Sequence, residues 1–296
     1  MSIQPIIIPS VPPETVIPDA ALVLEGGGTR AYFSSGVMDA FIAAGVMFPY
    51  IIGVSAGAAN AITYVSGQYG RSRVVVENFV SSPRYVGVRN LFLHGSLFNY
   101  KFVFDEIAAK HLPLDWKAFR ACPARFLAGA IDIDTGETVY YSQDDYETGD
   151  FTPLIASCSV PLLSRVVKYR GRRLLDGGVG GGIPIERSVA DGNAFHVIVM
   201  TRTAGYVKRP EPFGRAWRLM YRRYPKLTDA LAHRHENYAR QVGICETLER
   251  EGKAMIIRPV APLWEGRAES DTSKLLALYD EGERLGRDAL PRLLSR

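Results

Sequence analysis

The sequence predicts a three-layer α/β/α fold with a mainly parallel central sheet. Three observations carry that expectation. Strand and helix signals alternate through the first 200 residues. Two glycine-flanked segments, Glu25-Gly26-Gly27-Gly28-Thr29-Arg30 and Gly53-Val54-Ser55-Ala56-Gly57, each stand where an apolar run gives way to a helical pattern. The 296 residues, of ordinary globular composition, can bury one large α/β core with an appended segment.

Taken in order, residues 1–19 read as an extended arm. Ile6-Ile7-Ile8 is set among Pro5, Pro9, Pro12, Pro13 and Pro18, with no basic leader and too short an apolar run for a signal peptide. Ala20-Ala21-Leu22-Val23-Leu24 is a buried strand, broken by three glycines and followed by a helix on which Phe33, Val37, Phe41 and Ile42 recur. Tyr50-Ile51-Ile52-Gly53-Val54 repeats the pattern, with small residues from Gly57 to Ile62 continuing as a helix behind Ser55. Leu174-Leu175-Asp176-Gly177-Gly178 is a strand that ends in a carboxylate and then glycines, and 194–200 is a core strand. Beyond it, 227–251 reads as one long helix stopped by Gly252, 254–258 as a strand and 273–290 as a closing helix. No repeat or glycine-serine linker separates this last part, so it is expected to pack on the core.

The chemistry follows from the two glycine segments. A serine on a sharp strand-to-helix turn is held in a strained backbone, and glycines two residues to either side remove side chains that would clash. Its hydroxyl then lies over a helix N-terminus, where unpaired amides and the positive dipole end favour the negative charge of acyl transfer. The amides of Gly26, Gly27 and Gly28 can supply an oxyanion hole, in which one donor is worth ~3 kcal/mol of transition-state stabilisation. The loop lacks both the G-K-[ST] ending of a Walker loop and the G-x-G-x-x-G spacing of a dinucleotide fold. A bare Asp-Gly-Gly is a common turn, but with the other two elements Asp176 becomes a carboxylate able to face the serine.

In that order, G-G-G-x-[RK], G-x-S-x-G and D-G-[GA], the three motifs resemble the patatin-like phospholipase family. The likeness extends to Ala128-Gly129-Ala130-Ile131-Asp132-Ile133-Asp134-Thr135-Gly136-Glu137, to Ala156-Ser157-Cys158-Ser159-Val160-Pro161 and to Tyr169-Arg170-Gly171. It covers roughly 20–205 as a catalytic domain, leaving 206–296 as a basic-aromatic segment and a mostly helical extension similar to that of a bacterial subfamily. The resemblance implies a patatin-like fold and a Ser-Asp dyad without a catalytic histidine: Ser55 as nucleophile, Asp176 as base, and Gly26, Gly27, Gly28 and Arg30 in the oxyanion loop. It implies a lipid acyl hydrolase of phospholipase A or lysophospholipase type, with acyl transfer or noncatalytic lipid binding as alternatives on the same fold. Two positions depart from the family pattern, Ala31 in place of a glycine and Ile183-Pro184 in place of Asn-Pro, and neither removes a catalytic atom.

Other residues compete for these roles. His196 follows Asp176 in the order of a Ser-Asp-His triad, yet sits at the start of a core strand, where a histidine is more often a satisfied structural group. His233 and His235 point to different helix faces, and no H-E-x-x-H or C-x-x-C occurs, so neither a metal nor a cofactor is expected. Ser157 and Ser159 read as pocket or helix-packing residues, and Asp132 and Asp134 as hairpin chemistry before Thr135-Gly136.

Charge and cysteines bound the setting. Cys122, Cys158 and Cys245 are odd in number and far apart, which fits a reduced, cytoplasmic compartment. The net charge of +4 is unevenly spread. Between Arg202 and Lys226 eight basic residues face one acid, Glu211, and aromatic residues are interleaved. Arg215, Trp217, Arg218, Arg222 and Arg223 are the candidates for a face that docks on anionic membranes, since basic side chains attract anionic head groups and aromatic rings favour the bilayer boundary. A solvated helix with core aromatics is the equal alternative. No nucleic-acid module accompanies the patch, so the expected partners are a lipid or other acyl-ester substrate and the inner membrane surface.

Overall fold

A computed structural model of the chain describes residues 4–210, 214–261, 266 and 268–296. Its strands are β1 (Thr15–Val16), β2 (Ala20–Leu24), β3 (Val46–Met47), β4 (Tyr50–Val54), β5 (Arg125–Asp132), β6 (Thr138–Ser142), β7 (Val167–Tyr169), β8 (Arg172–Asp176), β9 (Phe195–Val199) and β10 (Ala254–Ile257). The α-helices are α1 (Tyr32–Ala43), α2 (Ala56–Val65), α3 (Arg71–Val75), α4 (Val88–His94), α5 (Trp116–Ala121), α6 (Thr152–Cys158), α7 (Ile185–Ala190), α8 (Gly214–Met220), α9 (Pro225–Ala232), α10 (Arg234–Arg250) and α11 (Thr272–Leu294).

The apolar run of β2 is continuous because both of its faces are covered. Leu22 and Leu24 enter one core cluster with Phe33 and Val37 of α1, while Ala21 and Val23 enter another with Ile185 of α7 and Tyr238 of α10. A strand wetted on one face would alternate; this one has no wet face. The result is a three-layer α/β/α protein whose main sheet runs β10-β9-β2-β4-β5-β8-β7, with β6 also on β5. Pairing from β10 to β5 is parallel, and β6, β7 and β8 are antiparallel.

One detail of register positions the site. β6 occupies one edge of β5, so β4 and β8 must share the other. β4 ends with Val54 opposite Gly129, and β8, running the other way, ends with Asp176 opposite Ala130. The two strands meet end to end, and the residues that follow Val54 and form the tip of β8 are neighbours.

The segment after residue 205 belongs to the same body. β10 adds an edge strand beside β9. α11 crosses α1 closely: a Cβ on Gly36, Gly282 or Gly286 would overlap the backbone of the facing helix. At that crossing Asp39 is buried and accepts a hydrogen bond from the Tyr279 hydroxyl, and burial raises its carboxyl from the ordinary 3.8 to about 7. The helix expected over 227–251 breaks at His233 into α9 and α10, and the closing helix runs further than expected, from an Asp271 cap to Leu294. The N-terminal arm lies extended on the surface, with β1 pairing β3 and the amides of Ile6 and Val11 donating to the carbonyls of His111 and Gly67.

Candidate active site

Ser55 caps α2 with φ +54° and ψ −134°, a left-handed backbone that an L-residue enters only under strain. Gly53 and Gly57 make the bend passable. A Cβ on Gly53 would stand 2.7 Å from the amide nitrogen of Ala58, and one on Gly57 2.7 Å from the carbonyl oxygen of Glu25. The Ser55 amide donates to Ser157 Oγ at 2.8 Å, and Ser157 Oγ donates to the Gly129 carbonyl at 2.6 Å, so α6 pins the turn against β5.

The Ser55 side chain donates to Asp176 Oδ2 at 2.7 Å. The other carboxylate oxygen of Asp176 accepts the Gly178 amide at 2.6 Å, and the Asp176 backbone amide donates to the Ser159 carbonyl at 2.8 Å. Both residues are buried, at 9% and 5% exposure. Asp176 is thus fixed at its backbone and at the oxygen turned from the serine, leaving Oδ2 on the hydroxyl.

The glycine loop stands beside this pair. A Cβ on Gly26 would come to 3.0 Å from Ser55 Cβ, and Gly28 and Ser55 line one pocket. One expectation for the loop needs correction. The Gly26 amide donates to the Gly182 carbonyl at 3.0 Å, so it is already committed and cannot serve an oxyanion. Among the described residues, the amides of Gly27 and Gly28 have no such partner. Arg30 is buried and its guanidinium donates to the Gly266 carbonyl, so it braces the loop against the C-terminal region.

The pocket is a cleft of ≈ 650 Å³, its mouth included. Its walls are mainly apolar: Tyr32, Tyr85, Phe98, Tyr100, Phe104 and Val160, the last reaching it from the turn after α6. Val103 and Phe104 come from a π-helical stretch, Lys101–His111. Cys158 also lines it, and burial first and the charge of Asp176 second push its thiol well up, which disfavours the thiolate.

His196 is elsewhere. It pairs with Ala21 of β2, and Ala21 with Tyr50 of β4, which places it level with the start of β4. Ser55 is five residues further on, about 16 Å along the strand direction. The His196 ring bonds Ser188 Oγ at 3.0 Å through Nδ1, and burial lowers its pKa, as for a neutral structural histidine. Asp132 and Asp134, at the turn that joins β5 to β6, pair with Arg172 and Arg173 at the start of β8. Among the described residues no cluster of His, Cys, Asp and Glu could hold a metal ion.

The C-terminal region supplies residues that no sequence pattern singled out. Along one face of α10, Arg234 Nε donates to the Gly178 carbonyl at 2.7 Å, and Gln241 accepts the Ile183 amide at 3.0 Å while donating to the Gly180 carbonyl at 3.1 Å. Between them, the Tyr238 hydroxyl donates to Glu25 Oε1 at 2.9 Å, and Glu25 Oε2 accepts the Thr201 amide at 2.6 Å. One helix therefore grips both the glycine run after Asp176 and the residue that opens the glycine loop. The i, i+4, i+7 spacing of Arg234, Tyr238 and Gln241 was visible as a polar-aromatic stripe, but it named no target.

The membrane-docking candidates divide. Trp217 is 5% exposed and packs with Tyr221, Leu227 and Ile131, so it is a core aromatic and cannot lie in a membrane boundary. Its expected place on the docking face is corrected because α8 turns its aromatic side inward. Arg218, Arg222 and Arg223 are exposed. Glu211 and the side chain of Arg215 lie outside the described residues.

Fold and site together define a class: three-layer α/β proteins with a serine on a strand-to-helix turn beside a glycine-rich loop. Residues 22–188 match the family described as Patatin-like phospholipase, and the chain belongs to that family. Residues 224–296 match a second family, described as Domain of unknown function (DUF6363). Among curated proteins the chain is similar to the uncharacterized protein YjjU of Escherichia coli (strain K12), 27% identical over 208 residues, a stretch covering 66% of this chain and 55% of that protein. The chain thus matches about half the length of this relative. Among solved structures it is similar to VipD from Legionella pneumophila at a TM-score of 0.47 and 12% identity, covering 96% of this chain and 68% of that one.

Proposed function

We propose that the protein is a serine acyl-ester hydrolase acting on lipids, of phospholipase A or lysophospholipase type. The observation that carries the reading is the 2.7 Å hydrogen bond from Ser55 Oγ to Asp176 Oδ2 at an apolar pocket. Membership of the patatin-like phospholipase family supports the same chemistry. The acyl chain of an ester occupies the pocket, with its carbonyl carbon at Ser55. Asp176 takes the hydroxyl proton as Ser55 Oγ attacks, and the amides of Gly27 and Gly28 receive the developing oxyanion. The intermediate collapses to an acyl-serine, and the departing alkoxide leaves with the proton from Asp176. Water, deprotonated by the same carboxylate, then attacks the acyl-serine, and Asp176 returns that proton to the departing Ser55 Oγ as the fatty acid is released.

The test is hydrolysis of a short-chain p-nitrophenyl ester and of phospholipid vesicles by wild type, Ser55→Ala, Asp176→Asn and His196→Ala, each checked for folding. The expected outcome is loss of activity by at least ~10³-fold in the first two variants and its retention in the third. Slow or absent labelling of wild-type Ser55 by a fluorophosphonate would overturn the reading, because an activated serine reacts quickly. Loss with His196→Ala in a folded protein would move the mechanism to a triad.

A further inference from the structure

α4 is built inside out. Its one buried polar residue, Asn90, is 3% exposed and donates both its bonds inward, to the carbonyls of Pro83 and Arg84 at 3.3 Å. Val88 at 64% and Phe92 at 83% exposure stand on the opposite side, and Leu93, one turn on from Asn90, is itself 59% exposed. Val88 and Phe92 stand one helical turn apart, and Arg89 and Leu93 continue the same face. A water-facing helix of a globular protein has the reverse pattern, polar out and apolar in, so this face is shaped for an apolar neighbour.

The neck of this element is part of the substrate pocket. Val86 bridges Phe98, the Gly87 amide donates to the Leu97 carbonyl, and the Asn99 amide to that of Tyr85. Tyr85 and Phe98 themselves line the pocket that holds Ser55. The exposed apolar helix therefore continues directly from the pocket wall. Charge adds a constraint through Arg89 and Lys101: residues 86–104 contain both but no aspartate or glutamate, while Arg84 is paired with Glu106. An apolar tip flanked by the cationic Arg89 and Lys101 matches a surface with a hydrocarbon interior and anionic head groups, and it would meet no complement in an acidic protein face that lacked an apolar pocket.

We infer that α4 inserts into an anionic lipid surface, with Val88, Phe92 and Leu93 in the acyl region and Arg89 and Lys101 at the head groups, bringing the pocket mouth to the membrane. The inference rests on the lipid-hydrolase reading for its choice of occupant. It relocates the apolar contact from Trp217 and Tyr221, which are core, to a helix that adjoins the candidate active site.

The experiment uses the full chain with Ser55→Ala, so that binding is read without turnover. It measures sedimentation with phosphatidylcholine vesicles, alone or with about one quarter phosphatidylglycerol. Phe92→Asp with Leu93→Asp should weaken binding about tenfold or more, since both side chains are exposed and the fold does not depend on them. In an otherwise wild-type chain the same pair should leave hydrolysis of a soluble p-nitrophenyl ester unchanged and lower hydrolysis of vesicles. Arg89→Glu should weaken binding to the anionic vesicles alone. Vesicle binding unaltered by the aspartate pair overturns the inference. So does a wild-type dimer that the pair converts to a monomer without loss of vesicle binding, which would assign the face to a second copy. Absence of Ser55-dependent hydrolysis together with α4-dependent binding would sink the hydrolase reading and leave the docking surface standing.

Discussion

In the proposed mechanism Ser55 carries structure and chemistry at once. Its φ of +54° costs on the order of 1–3 kcal/mol and is imposed by the bend that aims the hydroxyl at Asp176. Glycine at this position would adopt the same backbone freely. Ser55→Gly should therefore unfold at higher denaturant than Ser55→Ala, by about 1 kcal/mol, although both lack the hydroxyl. Equal stabilities in urea titrations would mean that the turn is unstrained. The neighbouring corrections are also matters of single groups. Gly26 and Gly28 look alike in the sequence, yet one amide is spent on Gly182 and the other is not. Which donor is free depends on where a loop more than 150 residues away places its carbonyl.

Among the elements, α10 and α11 tie the region of unassigned function to the candidate site. Gln241 holds the glycine run that follows Asp176 by two hydrogen bonds, at 3.0 and 3.1 Å. Gln241→Ala leaves the Ile183 amide and the Gly180 carbonyl unpaired, and the run is expected to loosen around Asp176. We expect kcat on a soluble ester to fall roughly tenfold with KM little changed, because the acyl pocket is untouched. A fall in KM affinity alone would place Gln241 in substrate binding. The α1–α11 crossing gives a pH dependence with a definite sign. Asp39 keeps its proton up to about 7 in the folded chain, against its ordinary 3.8. Between those values the folded state binds more protons, so the stability this group contributes is complete below about pH 4 and is lost as pH rises through about 7. Asp39→Asn does not titrate and can still accept from Tyr279. It should overtake wild type in stability between pH 5 and 8 by on the order of 2–4 kcal/mol, read by unfolding at both ends. Parallel curves would show that Asp39 ionises normally. Glu283, beside it, adds to the upward push and is a second site to vary.

At the scale of the molecule, the proposed contact with lipid rests on exposed charge and apolar surface. No helix among the described residues is long and apolar enough to cross a membrane. Arg218, Arg222 and Arg223 remain outward after the aromatic half of α8 is assigned to the core. Reversing all three to glutamate should weaken binding to anionic vesicles roughly hundredfold at low salt, with little effect at high salt. Unchanged binding would leave α8 as a solvated helix.

What the sequence determined by itself was local. Glycines at Gly26 to Gly28 and at Gly53 and Gly57, apolar runs such as Ala20–Leu24, and the helical recurrence of Phe33, Val37 and Phe41 dictate strand, turn and helix, because backbone freedom and hydrophobic period act within a few residues. They also dictate the class of fold, since alternating strands and helices have few ways to cover both faces of a sheet. The motif order named Ser55 and Asp176, but their contact spans 121 residues and exists because β4 and β8 meet end to end along β5. The tertiary structure alone decided that His196 lies at the far end of the sheet, that Trp217 is core while Phe92 is surface, and that α10 holds the glycine run. A sequence states which residues are apolar or polar. Only the packed chain states which distant segment covers each face, because that choice is made by long-range burial and by the pairing of buried amides and carbonyls.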